Sequence, residues 1–315
     1  MEPTGSEVLA LKEFSQVEWD ERLEAEFAAI LELAVREDLG DAGDWTSRAV
    51  VDEGAAGVAA VVAREEGTIS GLRAGRLIAR RFDPQLDFKA EAGDGDRIVA
   101  GSCVARIKGP ARALLAAERT LLNTLGRLSG IATLTRRYVD AVAGTSARIY
   151  DTRKTTPGWR RLEKYAVRCG GGRNHRSGLF DALLIKDNHL AIAAASAGSA
   201  GFSPAEAVRR ARRYLAARCG SASAMPVEVE VDTLDQFREV MPAGPDLVLL
   251  DNMPPAALCE AVRIRNAAAP AVELEASGGM VLGSVRTVAE TGVERISVGA
   301  LTHAAIGLDL GLDWD

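Results

Sequence analysis

Short apolar runs alternate with helical segments along the second half of the chain, and this alternation most constrains the fold. We predict six strands after Gly144, at Arg148–Asp151, Ala182–Lys186, Val227–Val231, Leu247–Asp251, Val272–Ala276 and Arg295–Val298. Spacings of roughly 20 to 25 residues between the later strands leave room for one helix each, as in a parallel sheet. No glycine-rich dinucleotide fingerprint follows any of these strands, so a barrel is favoured over an open doubly wound sheet.

The first half of the chain has a different pattern, which predicts a separate domain. An amphipathic helix is expected over Asp20–Leu39, because apolar residues recur there every three or four positions and Gly40 ends the pattern. Short β-rich runs at Val58–Ala63, Thr68–Leu72 and Arg97–Ile107 predict a small sheet. A leucine-rich helix follows, and its expected interruption near Ser129-Gly130 is where we place the domain boundary.

Composition excludes several classes of protein. Hydrophobic residues make up 47% of the 315 positions, and no apolar run approaches the roughly 20 residues that cross a bilayer, so no membrane partner is expected. The N-terminal sequence has no secretory signal, and the four cysteines are too widely spaced for zinc or redox pairs. We therefore expect a cytoplasmic protein whose cysteines are small, reduced core residues.

Positive charge is concentrated in one window of an acidic chain. From Arg148 to Lys186 there are ten basic residues against three acidic ones, whereas the net charge of the whole chain is -6. A nucleic-acid surface would need a wider basic surplus, because its affinity grows with the number of phosphates neutralised. The window predicts small anions as ligands, and no nucleic-acid partner.

Polar residues follow almost every predicted strand at its carboxyl end, where barrels of this kind place their active sites. They are Asp151 to Lys154, Lys186 to His189, Glu228 and Glu230, Asp251-Asn252, Glu275 to Gly279, and Gly299-Ala300. Glu228 and Glu230 share one face because side chains alternate along a strand. Buried carboxylates need cations, and Lys154, Lys186 or a bound Mg²⁺ are the candidates. A purely structural salt-bridge network is the alternative.

Glycines mark three further segments. The loops at Ser277-Gly278-Gly279 and Gly299-Ala300 could bind a phosphate through backbone N–H groups, or could be ordinary tight turns. The segment Cys169–Arg176 carries three glycines before His175 and Arg176, which suggests close approach of the backbone to a ligand. We predict a structural role for His189 and a mobile connection over residues 192–201.

Several of these motifs, taken in order, resemble the quinolinate phosphoribosyltransferases, also called carboxylating nicotinate-nucleotide pyrophosphorylases. The segments that carry the resemblance are Asp151–Gly158, Lys164–Arg176 and Leu184–His189, supported by Glu118–Asn123, Val227–Asp232, Leu249–Asn252, Glu275–Gly279 and Val298–His303. It covers about residues 20 to 315. The resemblance implies an α/β fold: an N-terminal sandwich domain over residues 1–129 and an incomplete TIM-like barrel over 130–303. It also implies that the tail 304–315 packs back on the first domain.

The resemblance also implies an activity. The family transfers the phosphoribosyl group of phosphoribosyl pyrophosphate to quinolinate and releases pyrophosphate and CO₂, giving nicotinate mononucleotide for NAD biosynthesis. The implied unit is a homodimer with shared active sites, in which Arg119 reaches the neighbouring site. The residues implied around quinolinate are Arg153, His175, Arg176 and Lys186.

The other implied substrate contacts concern phosphoribosyl pyrophosphate. Lys154 is expected to contact its pyrophosphate. The residues expected at its 5'-phosphate are Ser277, Gly278, Gly279, Gly299 and Ala300. Thr152 is also expected in the substrate site. Glu230 and Asp251 are expected to hold Mg²⁺ and to stabilise positive charge on the ribose. Lys154, Lys186, Glu230 and Asp251 form the expected catalytic set.

Two alternative functions remain open. One is the related pyrophosphorylase-like protein associated with molybdenum transport. The chain has the complete set of basic residues expected for a dicarboxylate substrate, and this argues against that alternative. The other is a non-catalytic sensor of phosphoribosyl pyrophosphate or a pyridine carboxylate. A sensor is expected to lose Glu230, Asp251 or Lys154, and all three are present.

Overall fold

The computed structural model describes residues 13–197, 202–219 and 225–314, which form two compact units interleaved along the chain. The first unit contains 13–15, Ala141–Arg153 and Asn174–Val298. The second contains Gln16–Asp140, Lys154–Arg173 and 299–314.

The described residues contain twelve strands and eleven α-helices, with one short 3-10 helix at Met241–Ala243. The strands are β1 (Ala56–Ala63), β2 (Gly67–Thr68), β3 (Asp87–Ala90), β4 (Arg97–Ile98), β5 (Cys103–Pro110), β6 (Arg148–Tyr150), β7 (Leu183–Ile185), β8 (Val227–Val231), β9 (Leu247–Asp251), β10 (Glu273–Ser277), β11 (Arg295–Ser297) and β12 (Leu310–Trp314). The helices are α1 (Glu21–Leu39), α2 (Trp45–Val50), α3 (Leu72–Phe82), α4 (Ala111–Ala141), α5 (Arg160–Cys169), α6 (Asp187–Ala197), α7 (Pro204–Cys219), α8 (Leu234–Val240), α9 (Pro255–Ala268), α10 (Leu282–Ala289) and α11 (Ala300–His303).

The first unit is built on a six-stranded parallel sheet with the strand order β6-β11-β10-β9-β8-β7. The six strands predicted after Gly144 are confirmed to within one residue at each end. Strands β6 and β7 are the two edges of this sheet and do not pair with each other within the described residues. The sheet is therefore an incomplete barrel, open on one side, as expected for the fold class.

Polar side chains share one face of this sheet. Register partners in a parallel sheet point to the same side, and alternate residues of one strand do so too. The set sharing a face is Arg148, Tyr150, Glu228, Glu230, Asp251, Glu273, Glu275, Ser277, Arg295 and Ser297. A barrel interior is usually filled with branched apolar residues, so this polar interior marks the unit as a site of chemistry.

The second unit contains a four-stranded antiparallel sheet in the order β12-β1-β5-β3. The last strand of the chain, β12, pairs with β1 from Ala59 opposite Trp314 to Ala63 opposite Leu310. The predicted first helix is confirmed as α1, whose N-cap Asp20 accepts from the N–H of Leu23 at 2.8 Å. Gly40 ends this helix with a φ of 50°.

Part of the predicted small sheet is wrong. Of the predicted run Thr68–Leu72, only Thr68 lies in a strand, at the end of β2, and Leu72 begins helix α3. The reversal follows from Gly71, whose φ of 96° turns the chain into the helix. Helix α3 buries Leu72, Gly75 and Ile78 at helical spacing, a signal that the β-rich neighbourhood obscured.

The expected interruption at Ser129-Gly130 is also wrong, because α4 runs without a break from Ala111 to Ala141. Glycine serves close packing here rather than helix termination. A Cβ on Gly130 would lie 2.0 Å from the carbonyl oxygen of Ile306, and one on Gly126 would lie 2.9 Å from that of Leu308. These glycines let the C-terminal segment of the second unit approach the helix backbone.

Three smaller predictions have mixed outcomes. The predicted mobile connection over residues 192–201 is wrong for 192–197, which belong to helix α6 because alanine favours helix, and 198–201 lie outside the described residues. Cys103, Cys169 and Cys259 are free thiols, but Cys259 is exposed rather than in the core, and the side chain of Cys219 lies outside the described residues. Among the helices of the described chain, none has the length and apolar character needed to cross a membrane.

A buried ion pair in the second unit gives a first testable prediction. Glu163 is fully buried, binds Arg127 at 2.6 Å and accepts from the hydroxyl and the backbone N–H of Thr156. We expect Glu163→Ala to lower the free energy of unfolding by about 3 kcal/mol, because it leaves a largely buried guanidinium without its carboxylate. Glu290→Ala, which breaks the exposed Arg286 pair, is the control and should cost under about 0.5 kcal/mol. Equal losses in urea unfolding would contradict the prediction.

Candidate functional site

The carboxyl ends of the parallel strands bring together an ion pair and a second carboxylate. Lys186 follows β7, and its Nζ lies 2.8 Å from Oε2 of Glu230 near the end of β8. Asp251 ends β9, and its Oδ2 accepts from Nδ2 of Asn252 at 2.7 Å. Glu230 and Asp251 are partly exposed at this edge, so their oxygens can reach a bound ligand. The structure thus brings three predicted residues to the mouth of the first unit.

A buried cluster of three titratable groups lies deeper on the same face. Nε2 of His175 is 3.1 Å from Oε2 of Glu228 and 3.5 Å from Oε1 of Glu275. Both carboxylates are fully buried. The sequence predicted Lys154, Lys186 or Mg²⁺ as the partner of the buried Glu228, and this is wrong for the protein groups, since the partner is His175. The three ligand atoms lie within 4.8 Å of one another, so this cluster could also hold a cation.

Hydrogen bonds fix His175 on all sides. Its backbone N–H donates to Oδ1 of Asp151 at 2.8 Å, and Nδ1 accepts from the backbone N–H of Arg176 at 2.8 Å. Burial alone would lower the pKa of His175, but the charges of Glu275 and Glu228 outweigh it and raise that pKa. The bond from Arg176 needs an unprotonated Nδ1 and opposes a second ring proton. The ring proton therefore lies on Nε2, which faces the carboxylates.

Two arginines of the first unit lie close enough to repel each other. Burial lowers the pKa of Arg176, and the charge of Arg153 lowers it further, whereas the charges of Glu228 and Asp181 act in the opposite direction. Nη1 of Arg176 donates to the carbonyl oxygen of Ala182 at 3.3 Å. A bound anion would relieve the repulsion between the two guanidinium groups, so this part of the site favours a ligand with negative charge.

The loop after β10 has the conformation of an open cradle. Gly278 and Gly279 have φ values of 91° and 58°, which side chains rarely adopt. A Cβ on Gly278 would lie 2.2 Å from Oδ1 of Asn252, whereas no atom lies within 4 Å of the Cβ position of Gly279. Asn252 itself has a φ of 52°, and its N–H donates to the carbonyl oxygen of Ser277 at 2.9 Å. The loop therefore packs against Asn252 at Gly278 and has open space beside Gly279.

Four other predicted residues, Lys154, Gly299, Ala300 and Arg119, belong to the second unit. A Cβ on Gly299 would lie 2.9 Å from Cδ of Lys154, so glycine makes room for this lysine. The carbonyl oxygen of Lys154 accepts from the hydroxyl of Thr302 at 2.6 Å. Arg119 on α4 is 69% exposed beside Glu118 and lines a groove of about 490 Å³ with Gly126 and residues 307–310.

The basic window of the sequence does not form one surface. Arg148 lies at the amino end of β6, bound to Glu273 at 2.8 Å, and Lys164 is fully buried in α5. Arg153, Arg176 and Lys186 are the other members of the window in the first unit, and Lys186 pairs with Glu230. His189 accepts at Nδ1 from the N–H of Lys186 at 2.9 Å, a contact that fits its predicted structural role. Glu275 is a second carboxylate beside His175, and its place at a strand end did not by itself predict that contact.

Comparisons with known proteins identify relatives across nearly the whole chain. The family model for the quinolinate phosphoribosyl transferase C-terminal domain matches residues 131–313, and that for the N-terminal domain matches 44–129. A carboxylating nicotinate-nucleotide pyrophosphorylase of Mycobacterium leprae is 43% identical over 282 residues, 89% of this chain and 94% of the relative. A decarboxylating quinolinate phosphoribosyltransferase of Nicotiana tabacum is 36% identical over 301 residues, 91% and 81% of the two chains.

A solved structure shares the fold as well. The nicotinate-nucleotide pyrophosphorylase of Francisella tularensis superposes with a TM-score of 0.85 at 33% identity, covering 96% of this chain and 100% of that one. Similarity at this level extends beyond the fold to the sequence itself, and it covers both units.

Proposed function

This chain belongs to the quinolinate phosphoribosyltransferase family, and we propose on that premise that it converts quinolinate and phosphoribosyl pyrophosphate to nicotinate mononucleotide, pyrophosphate and CO₂. The resemblance seen in the sequence is thereby confirmed, and the reaction is the one that supplies NAD biosynthesis. The observation that carries the proposal is the polar barrel mouth, where Arg153, Arg176 and Lys186 belong to the same unit as Glu230 and Asp251.

Quinolinate is a pyridine with carboxylates at positions 2 and 3, and its binding calls for several cations. The charge of Arg153 acts on Arg176 and is only partly offset by Glu228 and Asp181, and this local positive charge supports the assignment of both arginines to the two carboxylates. Lys186 adds a third cation, already aligned by Glu230. His175 is assigned to the same substrate together with Arg176, and Arg119 is proposed to come from a second copy of the chain.

Phosphoribosyl pyrophosphate has a 5'-phosphate and a pyrophosphate. We assign the 5'-phosphate to the Ser277-Gly278-Gly279 cradle, where the open space beside Gly279 would let a phosphate approach the backbone. Lys154, with Gly299 and Ala300 of its own unit, is assigned to the phosphate groups, and Thr152 also contacts this substrate. The support for Lys154 is the space that Gly299 leaves for its side chain.

Breaking the bond from ribose C1' to pyrophosphate develops positive charge on the ribose. Glu230 and Asp251 are carboxylates at the strand ends and stabilise that charge by Coulombic attraction. Their donor set also fits Mg²⁺, because the ion prefers carboxylate and phosphate oxygens and both residues are partly exposed. When bound, Mg²⁺ would neutralise the leaving pyrophosphate, and Glu230 and Asp251 would hold it.

Loss of the 2-carboxylate uses the charge made in the first step. After transfer the ring nitrogen is cationic, so the electron pair left on C2 by departing CO₂ is stabilised by the adjacent positive charge. A proton then replaces CO₂ at C2. The chain's own groups orient the carboxylate and need not supply a nucleophile.

The active unit is proposed to be a homodimer with shared sites, in the cytoplasm. The exposed guanidinium of Arg119 supports the first part, because a second chain could accept it in a site of its own. The free thiols of Cys103, Cys169 and Cys259 support the second, because a reducing compartment keeps cysteines in this form.

The proposed function is tested by comparing two substrates. Purified protein with Mg²⁺, phosphoribosyl pyrophosphate and quinolinate should form nicotinate mononucleotide. Nicotinate lacks the 2-carboxylate and leaves cations unpaired, so its kcat/KM should be lower by at least about a hundredfold. Comparable kcat/KM for the two would place the protein in a different phosphoribosyltransferase group.

The glycine cradle gives a second prediction. Gly278→Ala should raise the KM for phosphoribosyl pyrophosphate at least about tenfold, because the new Cβ would lie too close to Asn252 and occupy a positive φ. Gly283→Ala is the control, since no atom lies within 4 Å of its Cβ position and its φ is not positive. Steady-state kinetics that give the same KM for both variants and the wild type would remove the cradle from the phosphate site.

A further inference from the structure

Glu13 and Phe14 lie inside the first unit. Phe14 is 3% exposed and packs in one buried cluster with Tyr150, Ala182 and Leu247. Tyr150 ends β6 and Ala182 immediately precedes β7, which are the two edge strands of the open sheet. The Phe14 ring therefore bridges the side of the barrel that strand pairing leaves open.

Glu13 neutralises cations at the amino ends of the strands. Its Oε1 lies 2.9 Å from Nη1 of Arg148 and 3.6 Å from Nη2 of the fully buried Arg295. The hydroxyl of Tyr150 donates to the same carboxylate at 3.3 Å. Buried guanidinium groups need such compensation, so Glu13 ties this segment to the inner face of the barrel.

Phe14 supports the buried histidine directly. Its ring stacks on the imidazole of His175 with centroids 4.2 Å apart and planes 29° apart, and the guanidinium of Arg295 lies 5.2 Å from the Phe14 centroid. His175 in turn accepts from the backbone N–H of Arg176 and faces Glu228. A flat face against the imidazole fixes the plane of that ring and hence the direction of both nitrogen atoms.

We propose that Glu13 and Phe14 form a plug that closes the incomplete barrel and holds His175, and through it Arg176, in position for the carboxylates of quinolinate. The inference rests on the proposed function and adds a positioning residue, Phe14, that lies outside both segments matched by the family models, 44–129 and 131–313. The residues that Glu13 and Phe14 contact lie more than 130 positions further along the sequence, as Arg148 does from Glu13.

Kinetics of Phe14→Ala test the plug. We expect the KM for quinolinate to rise about tenfold or more while the KM for phosphoribosyl pyrophosphate stays within about twofold, because only the carboxylate contacts are displaced. Phe237→Ala is the matched control, a phenylalanine of the same unit on α8 with 0% exposure. It should lower thermal stability and leave both KM values within about twofold of wild type. If Phe14→Ala does not fold, Phe14→Leu keeps the apolar volume without the flat face and should still raise the quinolinate KM.

A spectroscopic readout separates the plug from the proposed function. The chain has three histidines, so ¹⁵N-histidine labelling resolves their rings, with His189 and His303 as internal controls. Replacing Phe14 should remove its ring-current effect and shift only the His175 signals. A wild-type quinolinate KM in the Phe14 variants, an equal rise in both KM values, or unshifted His175 signals would each overturn the plug. A wild-type protein that forms no nicotinate mononucleotide, with His175 shifted in the variant, would overturn the proposed function and retain the Phe14–His175 support.

Discussion

Lys186→Ala is expected to lower kcat/KM for quinolinate at least about a hundredfold, equivalent to about 2.7 kcal/mol of transition-state stabilisation. The substitution removes a cation from the proposed carboxylate site. It also leaves Glu230, whose side chain is 12% exposed, without the ammonium group 2.8 Å away. The Lys186 side chain is 45% exposed without substrate, so the expected cost comes from its contact with the bound carboxylate, where losing one buried charged partner typically costs about 2 to 5 kcal/mol. Arg153→Ala should show a similar loss.

The control for this prediction is another lysine in an ion pair. Lys108 pairs with Asp87 at 3.3 Å, and both side chains are more than 60% exposed, at 66% and 63%. Lys108→Ala should therefore leave kcat/KM within about twofold of wild type. Wild-type kcat/KM in both Lys186→Ala and Arg153→Ala, with thermal unfolding unchanged, would contradict the assignment of these strand ends to the site.

Mixing two inactive variants is expected to restore activity if Arg119 serves a second copy of the chain. Arg119→Ala and Lys186→Ala subunits form heterodimers in which one site has both an intact Lys186 and its partner's intact Arg119. The other site lacks both residues. Random one-to-one exchange gives about half heterodimers with one working site each, so recovery should approach roughly a quarter of wild-type activity.

Subunit exchange must be verified by mass before the mixture is assayed. If Arg119 serves its own chain, every site in the mixture lacks either Arg119 or Lys186. Activity that stays at the level of the separate variants, despite confirmed exchange, would contradict a shared site.

The sequence predicted the strands of the first unit well because the signal is local. Val227–Val231 alternates valine with glutamate and Leu247–Asp251 is a short apolar run that ends in an aspartate, and the structure has these bounds unchanged. The ion pair of Lys186 with Glu230 follows from the same pattern, since the carboxyl ends of neighbouring parallel strands meet at one edge. The reaction was predicted from the resemblance to the family, because a pattern of strands does not indicate a particular reaction.

Other features depend on contacts between distant residues and could not be read locally. Gly130 looked like a helix breaker, and only its approach to Ile306 shows why α4 continues. Glu228 was expected to meet a lysine or an ion, whereas its partner His175 lies on a loop far away in the sequence. The stacking of Phe14 on His175 had no sequence signal of any kind, because a single phenylalanine before the first helix fits many environments.

The most direct test of the proposed reaction follows one labelled carbon. Quinolinate carrying ¹³C in its 2-carboxylate is incubated with the protein, phosphoribosyl pyrophosphate and Mg²⁺. The account predicts that labelled CO₂, pyrophosphate and unlabelled nicotinate mononucleotide appear in equal amounts, and that no CO₂ is released when phosphoribosyl pyrophosphate is omitted. A product that retains the label, or CO₂ release without phosphoribosyl transfer, would contradict it.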